Sequence, residues 1–210
     1  MIEADRPFRL RPRPPKRADD NSRVWPAALR RVLQLVQTTC KPSRRGVFGA
    51  GRTGARPFAQ RCAVRVSYSA NRTPGQWAAH GRYVVRESVA GPNGELGRGF
   101  DAKSDQVDVI QMAAAWQAAG DARMFKLILS PEFGERLNLK ELTRQLMYRV
   151  AADLRLPLEW VAVAHFNTEH PHAHVLLRGV AEGKEIRLPN EYVKAGIRKH
   201  AEDLCTARLV

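Results

Sequence analysis

The most restrictive feature of this chain is the uneven distribution of its positive charge. Residues 1–61 contain 15 Lys/Arg and 4 Asp/Glu, a net charge of +11, whereas residues 62–210 contain 20 and 17, a net charge of +3. From Arg6 to Arg17 the sequence alternates Arg with Pro, and each Pro removes a backbone donor and restricts its neighbour. We therefore expect the folded core within residues 62–210, preceded by a disordered basic arm, residues 1–61.

The basic arm predicts a polyanionic partner, most simply nucleic acid. Residues 24–38 have the pattern of a short amphipathic helix, and residues 43–61 are rich in Gly and Arg, as in a flexible linker. Arginine clusters bind DNA phosphates without regard to sequence, because they release counterions. A solvated tail is the alternative interpretation of the arm. The arginines expected to contact DNA here are Arg44, Arg45, Arg52 and Arg56.

Several classes of protein are excluded. The 210 residues suit one domain with an extension, or two small domains. No apolar run approaches the ~18 residues of a transmembrane helix, and no apolar stretch follows the basic N-terminus as in a secretory signal. The three cysteines, Cys40, Cys62 and Cys205, predict neither a disulfide framework nor a cysteine zinc site. We therefore expect a reducing, cytoplasmic compartment and no membrane insertion.

Periodicity after residue 61 predicts alternating strands and helices. Strands are expected at residues 62–69, 123–130, 159–166 and 173–179, and helices at 76–88, 105–119, 138–154 and 190–204. Asn138 is placed to cap the third helix, with Glu141 at the capping-box position. The last two strands form a hairpin. This order predicts an α+β fold with a largely antiparallel central sheet covered by helices.

Four of the six histidines fall within the hairpin, between His165 and His174. His172 and His174 are two residues apart on a strand, so their imidazoles point to the same face. His165 ends the preceding strand and can lie opposite that pair. Three neutral imidazoles on one face predict a metal site with open positions for water or substrate, while Ala173 packs on the other face.

Individual histidines can also be ordinary surface groups, and that alternative is strongest for His170. It lies in the loop before Pro171, which predicts either a surface position or a supporting role behind the ligands.

The segment AVAHFNTEHPHAHVLLRG resembles the metal-binding motif of conjugative relaxases, the mobilisation nucleases of the His-hydrophobe-His endonuclease group. His165, His172 and His174 match the three ligands of that family. The stretch WAAHGRYVVRES resembles the helix that carries the family's nucleophilic tyrosine, which implies this role for Tyr83. The resemblance extends over residues 60–205 and implies a relaxase core, similar to replication initiators, at residues 62–210.

The stretch MFKLILSPEFGERLNLKELTRQLM resembles the branch of the family that has an Arg/Gly-rich N-terminal arm and an added C-terminal region. The sequence ends at Val210, before such a region. We therefore expect a fragment, a truncated copy or a minimal form of that branch.

The resemblance implies a transesterification. A tyrosine phenol, with a pKa of about 10, is a weak nucleophile until a metal ion polarises the phosphodiester that it attacks. Tyr83 would attack the scissile phosphate, a 3′-hydroxyl would leave, and a reversible 5′-phosphotyrosyl link would form. Imidazoles alone favour Mn²⁺ or Zn²⁺, whereas the resemblance implies Mg²⁺ or Mn²⁺.

The partners implied by the resemblance are the DNA of a transfer origin, single-stranded or supercoiled, and other transfer-complex proteins such as a coupling ATPase. The implied location is the bacterial cytoplasm, and the implied process is plasmid or integrative-element conjugation.

The other three tyrosines are alternative candidates for the nucleophile, and Tyr83 itself could pack in the core instead of acting in catalysis. Tyr68 alternates with Val64 and Val66 on the first strand, which favours a core or sheet-face role. Tyr148 and Tyr192 lie on predicted helices and are expected to pack.

Three residues are candidates for accepting the phenolic proton of Tyr83, and the sequence does not decide between them. His80 and Glu87 lie on the Tyr83 face of the helix, three residues before it and four after it, and Glu169 lies near the metal loop. Arg82 and Arg86 flank the tyrosine as phosphate contacts or as ordinary exposed charges.

Two rival functions use the same features. A non-catalytic DNA-binding fragment of a decayed relaxase would retain the arm without turnover. A zinc hydrolase acting on small molecules would use the same histidines, but it gives no reason for the basic arm.

Overall fold

Four strands form one antiparallel sheet in a computed structural model that describes residues 59–87, 98–166 and 168–209. The strands are β1 (Cys62–Ala70), β2 (Arg123–Pro131), β3 (Trp160–His165) and β4 (His172–Arg178), in the spatial order β1-β2-β4-β3. Every neighbouring pair is antiparallel, which confirms the predicted α+β fold. The basic arm up to residue 58, including its predicted helix and its arginines, lies outside the described residues.

Four α-helices flank this sheet among the described residues. They are α1 (Gln76–Glu87), α2 (Val109–Ala118), α3 (Leu139–Leu154) and α4 (Ile197–Leu209). A 3₁₀ turn (Gly134–Arg136) follows β2, a π-helical turn (Tyr192–Gly196) precedes α4, and a small ribbon pairs β5 (Val180–Ala181) with β6 (Lys184–Glu185). Among the described residues, no helix has the length and apolar character that a membrane span requires.

Local capping explains where two helices begin. Asn138 accepts a hydrogen bond from the backbone N–H of Glu141, which confirms the predicted start of α3. The helix predicted from residue 105 begins only at Val109, because Asp108 caps it and Val107 pairs with Gly99 in a β-bridge. The β5–β6 ribbon was not predicted, since two-residue strands leave no periodic pattern.

The two faces of the sheet carry separate apolar clusters. Leu127, Leu129 and Val175 point to one face, where they pack with residues of α3 and α4. The other face is covered by α1 and α2 through Trp77, Val84 and Trp116. The strand residues on that face are Met124, Val161, Val163 and Leu176. The histidines belong to this second face, since His174 pairs with Val163 in register.

Helices α1 and α2 leave part of the second face uncovered. This uncovered area, the open strip, consists of Ala63, Arg65 and Ser67 of β1 and Lys126, Ile128 and Ser130 of β2. Ile128 pairs with Arg65 on one side and with His174 on the other, so the strip borders the histidines. A solvent-accessible, basic strip therefore leads along the sheet to the predicted metal site.

Two cysteines that are distant in the sequence meet in the core. Cys62 of β1 and Cys205 of α4 are both buried and present as free thiols. A hydrogen bond with Cys205, together with burial, raises the pKa of the Cys62 thiol. These thiols serve as core groups; Cys40 lies outside the described residues.

Candidate metal centre and active site

The β3–β4 hairpin brings the three predicted ligands together. His165 lies directly opposite His172, and His174 follows two residues later on the same face. The ring centres are 4.8–5.0 Å apart, and one candidate ligand atom from each residue lies within 4.8 Å of the others. Ala173 is fully buried on the opposite face, as the alternation predicts.

The backbone orients the His172 ring. Its Nδ1 lies 2.9 Å from the carbonyl oxygen of His170, and a carbonyl can only accept, so Nδ1 carries the proton. Nε2 then carries the lone pair and lies 3.2 Å from Nε2 of His174. Two nitrogens bound to one ion at about 2.0–2.1 Å lie roughly 2.8–3.4 Å apart at octahedral or tetrahedral angles. The spacing of this pair therefore fits a single divalent ion.

His165 connects the cluster to helix α1. It is 1% exposed, and its Nε2 lies 2.9 Å from the carbonyl oxygen of Val84. Nε2 must donate in this hydrogen bond, so Nδ1 is the nitrogen that carries the lone pair. The residue immediately before Val84 is Tyr83, so this contact holds the tyrosine helix against the histidine cluster.

Tyr83 lies at the surface rather than in the core. Its side chain is 53% exposed, and its ring stacks on His80 with 6.1 Å between ring centres and 18° between planes. His80 is half-buried, and burial lowers its pKa, with a further lowering from the positive charge of Lys126 in the open strip. His80 is therefore a neutral imidazole at neutral pH, in contact with the tyrosine ring.

Residues 94–208 match the family model described as the MobA/VirD2-like relaxase nuclease domain. This match covers more than half of the chain. The chain belongs to the relaxase family. A search of curated proteins found no match. Membership makes the chain a DNA-acting nuclease of the nicking type, and the matched segment contains all three histidines.

Helix α1 precedes the matched segment, so the relaxase match alone does not include Tyr83. Tertiary contacts connect helix α1 to the matched segment. These are the hydrogen bond between His165 and the carbonyl of Val84 and the packing of α1 on α2. A Cβ at Gly81 would lie 3.2 Å from the Cα of Ile110, so the helices approach closely there.

The other site candidates of this relaxase have different surroundings. Glu169 is exposed in the loop before β4, and its neighbour His170 acts through its backbone carbonyl. Arg82 and Arg86 are exposed on α1. The Glu87 side chain and the arm arginines Arg44, Arg45, Arg52 and Arg56 lie outside the described residues.

The other three tyrosines differ in how far the fold buries them. Tyr192 is buried and donates a 2.8 Å hydrogen bond to Asp153, which confirms its packing role. The packing predicted for Tyr148 is wrong, because it is 77% exposed on the solvent side of α3. Tyr68 is 61% exposed, so a core role is wrong and a sheet-face role is right. It lies on an edge strand, where one neighbouring strand is missing.

Sequence reasoning missed two arginines beside the metal cluster. Arg65 and Arg198 line a cleft of about 560 Å³ together with residues 168–170, His172 and part of the open strip. Arg65 could have been found, because it falls on the polar side of the alternating first strand. Arg198 gave no signal, since only the packing of α4 brings it to the cleft.

Proposed function

We propose that this relaxase nicks and rejoins one DNA strand at a transfer origin by transesterification, with Tyr83 as the nucleophile. The observation that carries the proposal is the contact between His165 and the carbonyl of Val84, 2.9 Å apart, which ties the tyrosine helix to the three-histidine cluster. The surface position of Tyr83 supports the same role, because a substrate phosphate can approach an exposed side chain.

His165, His172 and His174 would hold a divalent ion, Mg²⁺ or Mn²⁺ by resemblance, with Zn²⁺ as the alternative that imidazole ligands favour. When bound, the ion supplies Lewis-acid polarisation of the scissile phosphate and stabilises its added negative charge. The carbonyls of Val84 and His170 hold two of the rings in the orientation that this binding needs.

The proposed reaction conserves the phosphodiester. The Tyr83 oxygen loses its proton to a base and forms a bond to phosphorus, and the bond from phosphorus to the 3′-oxygen breaks. The 3′-oxygen leaves as a hydroxyl, with a proton taken from that base or from water. The 5′ phosphate stays on the tyrosine, and attack by a 3′-hydroxyl reverses the step. No nucleoside triphosphate is required, because the energy of one ester is retained in the other.

His80 is the best-supported acceptor for the phenolic proton. Its ring contacts the Tyr83 ring, and its lowered pKa keeps it neutral, as a base must be. Glu169 is the alternative from the loop before β4, and Glu87 is the alternative from the end of α1.

The DNA would follow the basic surface that leads to the cluster. Phosphates around the scissile bond would be contacted by Arg65 and Arg198, which line the cleft, and by Arg82 and Arg86, which are exposed on α1. The arm (1–61) would add contacts outside the nuclease core (62–210). The proposed setting is the bacterial cytoplasm, during plasmid or integrative-element conjugation, with other transfer proteins as partners.

The test is incubation of the full chain with transfer-origin oligonucleotides and Mn²⁺, followed by denaturing gel electrophoresis. Wild type should form a covalent protein–DNA adduct, and Tyr83→Phe should form none, because it lacks the attacking oxygen. Tyr148→Phe is the matched control, since it removes the hydroxyl of another exposed tyrosine from a different surface.

An adduct that forms equally well with Tyr83→Phe would contradict the assignment. If wild type binds DNA in a salt-sensitive way but takes up no metal and forms no adduct, the non-catalytic fragment is the better description.

A further inference from the structure

A second basic surface lies at the end of β1, beyond the residues proposed for the cleavage step. A cavity of about 890 Å³ is lined there by four cationic side chains and one carboxylate, together with hydroxyl and apolar groups. The charged residues are Arg72, Arg123, Lys126, Arg187 and Glu185. The cavity is therefore positively charged, as a phosphate-binding surface is.

Tyr68 supplies an aromatic surface in this cavity. It is 61% exposed, although a tyrosine on a strand is usually covered on its inner side. The guanidinium carbon of Arg123 lies 5.8 Å from the ring centre, and Phe125 meets the ring edge-on at 6.4 Å. Arg123 is held in turn by Glu185, at 3.2 Å. The ring is thus supported by its neighbours and still presents most of its surface to solvent.

Two further arginines complete the surface. Arg72 and Arg187 are exposed, and within the described part of the chain neither forms an ion pair. A cavity that holds an exposed aromatic ring and two guanidinium groups without carboxylate partners matches the chemistry of a single nucleic-acid strand. Its bases stack on aromatic rings, and its phosphates attract arginine. A duplex offers no unstacked base to such a ring.

The surface is connected to the metal site along the sheet. Arg65 shares a row with Ile128 and His174 on the second face of the sheet. Tyr68 lies three residues further along β1, about 10 Å at 3.4 Å per residue, and this odd spacing places its ring on the first face. The cleft beside the histidines uses Arg65 and Ile128 of the open strip, and the second cavity uses Ser67 and Lys126 of the same strip. Because β1 is an edge strand, a bound strand can pass over it from one face to the other.

We infer that Tyr68, with Arg72, Arg123 and Arg187, is a base-stacking site that holds single-stranded DNA beside the nicked position. This inference rests on the proposed function, because it extends the path of the same substrate. The site binds the strand without regard to base identity, since every base has a π-face. It takes no part in the chemical step.

The experiment measures binding without cleavage. The full chain is titrated, in EDTA, into a fluorescein-labelled single-stranded oligonucleotide of mixed sequence, and anisotropy gives the dissociation constant. Tyr68→Thr keeps β propensity and removes the ring, and it should weaken binding roughly 5- to 150-fold, the range for one stacked base. Tyr68→Phe keeps the ring and should bind like wild type. Tyr148→Ala, which removes a tyrosine that is 77% exposed on α3, should also bind like wild type.

Photo-crosslinking identifies the contact directly. An oligonucleotide containing 5-iododeoxyuridine should give a crosslinked peptide that contains Tyr68. The inference is overturned if Tyr68→Thr binds like wild type, if Tyr148→Ala weakens binding as much, or if duplex binding falls to the same extent. It is also overturned if the crosslinks map only elsewhere. Because no adduct is required, failure of the Tyr83 assignment would leave these measurements intact.

Discussion

At the scale of single residues, the site depends on which nitrogen of each imidazole carries the proton. Backbone carbonyls decide this for two of the three proposed ligands, Val84 for His165 and His170 for His172. A main-chain carbonyl can only accept a hydrogen bond, so the ring nitrogen that faces it must carry a proton. The same geometry involves His170 through its backbone carbonyl, so we expect the His170 side chain to be dispensable.

The first prediction concerns metal affinity. His172→Ala removes a ligand and should weaken Mn²⁺ binding by more than the roughly 10- to 100-fold that follows loss of an outer hydrogen-bond partner. His170→Ala keeps the carbonyl that orients His172 and should leave the affinity nearly unchanged. Isothermal titration of the full chain with MnCl₂ measures both. Equal losses in the two variants would contradict the proposed ligand set.

The second prediction concerns the pH dependence of stability at His80. Burial, with the nearby Lys126 charge, lowers its pKa from 6.5. As the pH falls through 6.5, the unfolded chain takes up a proton at this residue while the folded chain stays neutral, so the folded state loses stability. The loss is complete below the folded pKa.

Urea unfolding at a series of pH values tests this effect. Wild type should lose more stability on acidification than His80→Gln, which cannot titrate. Lys126→Met should reduce the difference, because it removes a like charge that opposes protonation. Parallel pH profiles for wild type and His80→Gln would refute the role of burial at this position.

At the scale of elements, the hairpin that carries the histidines is braced from outside. The 3₁₀ turn after β2 places Gly134 against Pro171, the residue immediately before His172, and a Cβ at Gly134 would lie 2.6 Å from the Pro171 carbonyl oxygen. Backbone meets backbone there, so neither side can move without displacing the start of β4. The close approach fixes the position of the hairpin relative to β2.

The third prediction is that Gly134→Ala destabilises the protein and weakens Mn²⁺ binding together. Overpacking of this kind costs typically about 1–3 kcal/mol in the free energy of unfolding, and here it would also shift His172. Glu135→Ala is the control, because Glu135 is exposed in the same turn and its loss should change stability by less than about 0.5 kcal/mol. Urea unfolding and metal titration give the two readouts. A stable Gly134→Ala protein with unchanged metal affinity would show that the brace is unimportant.

At the scale of the whole molecule, most of the net positive charge lies in a different part of the chain from the residues of the proposed chemistry. The basic arm carries a net charge of +11, and the remainder, with the histidines and Tyr83, carries +3. Electrostatic attraction of such an arm to DNA phosphates would be independent of DNA sequence and sensitive to salt. The core cavities add local positive charge on an otherwise nearly balanced surface.

The fourth prediction is that neutralising the arm changes the salt dependence of binding more than the chemistry. Replacing Arg44, Arg45, Arg52 and Arg56 with Gln should reduce the slope of log K against log salt by up to about 3 for single-stranded DNA. Adduct formation at low salt should persist, because the site residues are unchanged. Fluorescence anisotropy at several salt concentrations measures the slope. An unchanged slope would mean that the arm is a solubilising tail.

The sequence alone predicted those features of the fold and the site that depend on residues close together in the chain. Alternation in residues 62–69 and the His172–His174 spacing were sufficient to predict the strands, the hairpin and three histidines on one face. Those features follow from periodicity and neighbouring residues. Local patterns placed Tyr68 on a strand and Tyr83 on a helix, but only the family likeness suggested Tyr83 as the nucleophile.

Only the tertiary structure decided which distant groups meet. The carbonyl of Val84 reaches His165 across 81 positions, and Gly134 meets Pro171, through the packing of whole elements rather than any local signal. Exposure was likewise decided by packing: Tyr148 and Tyr192 both have helical surroundings in the sequence, but only Tyr192 is covered by the fold. Local sequence determines which face of an element a side chain occupies, and the packing of elements determines what that face contacts.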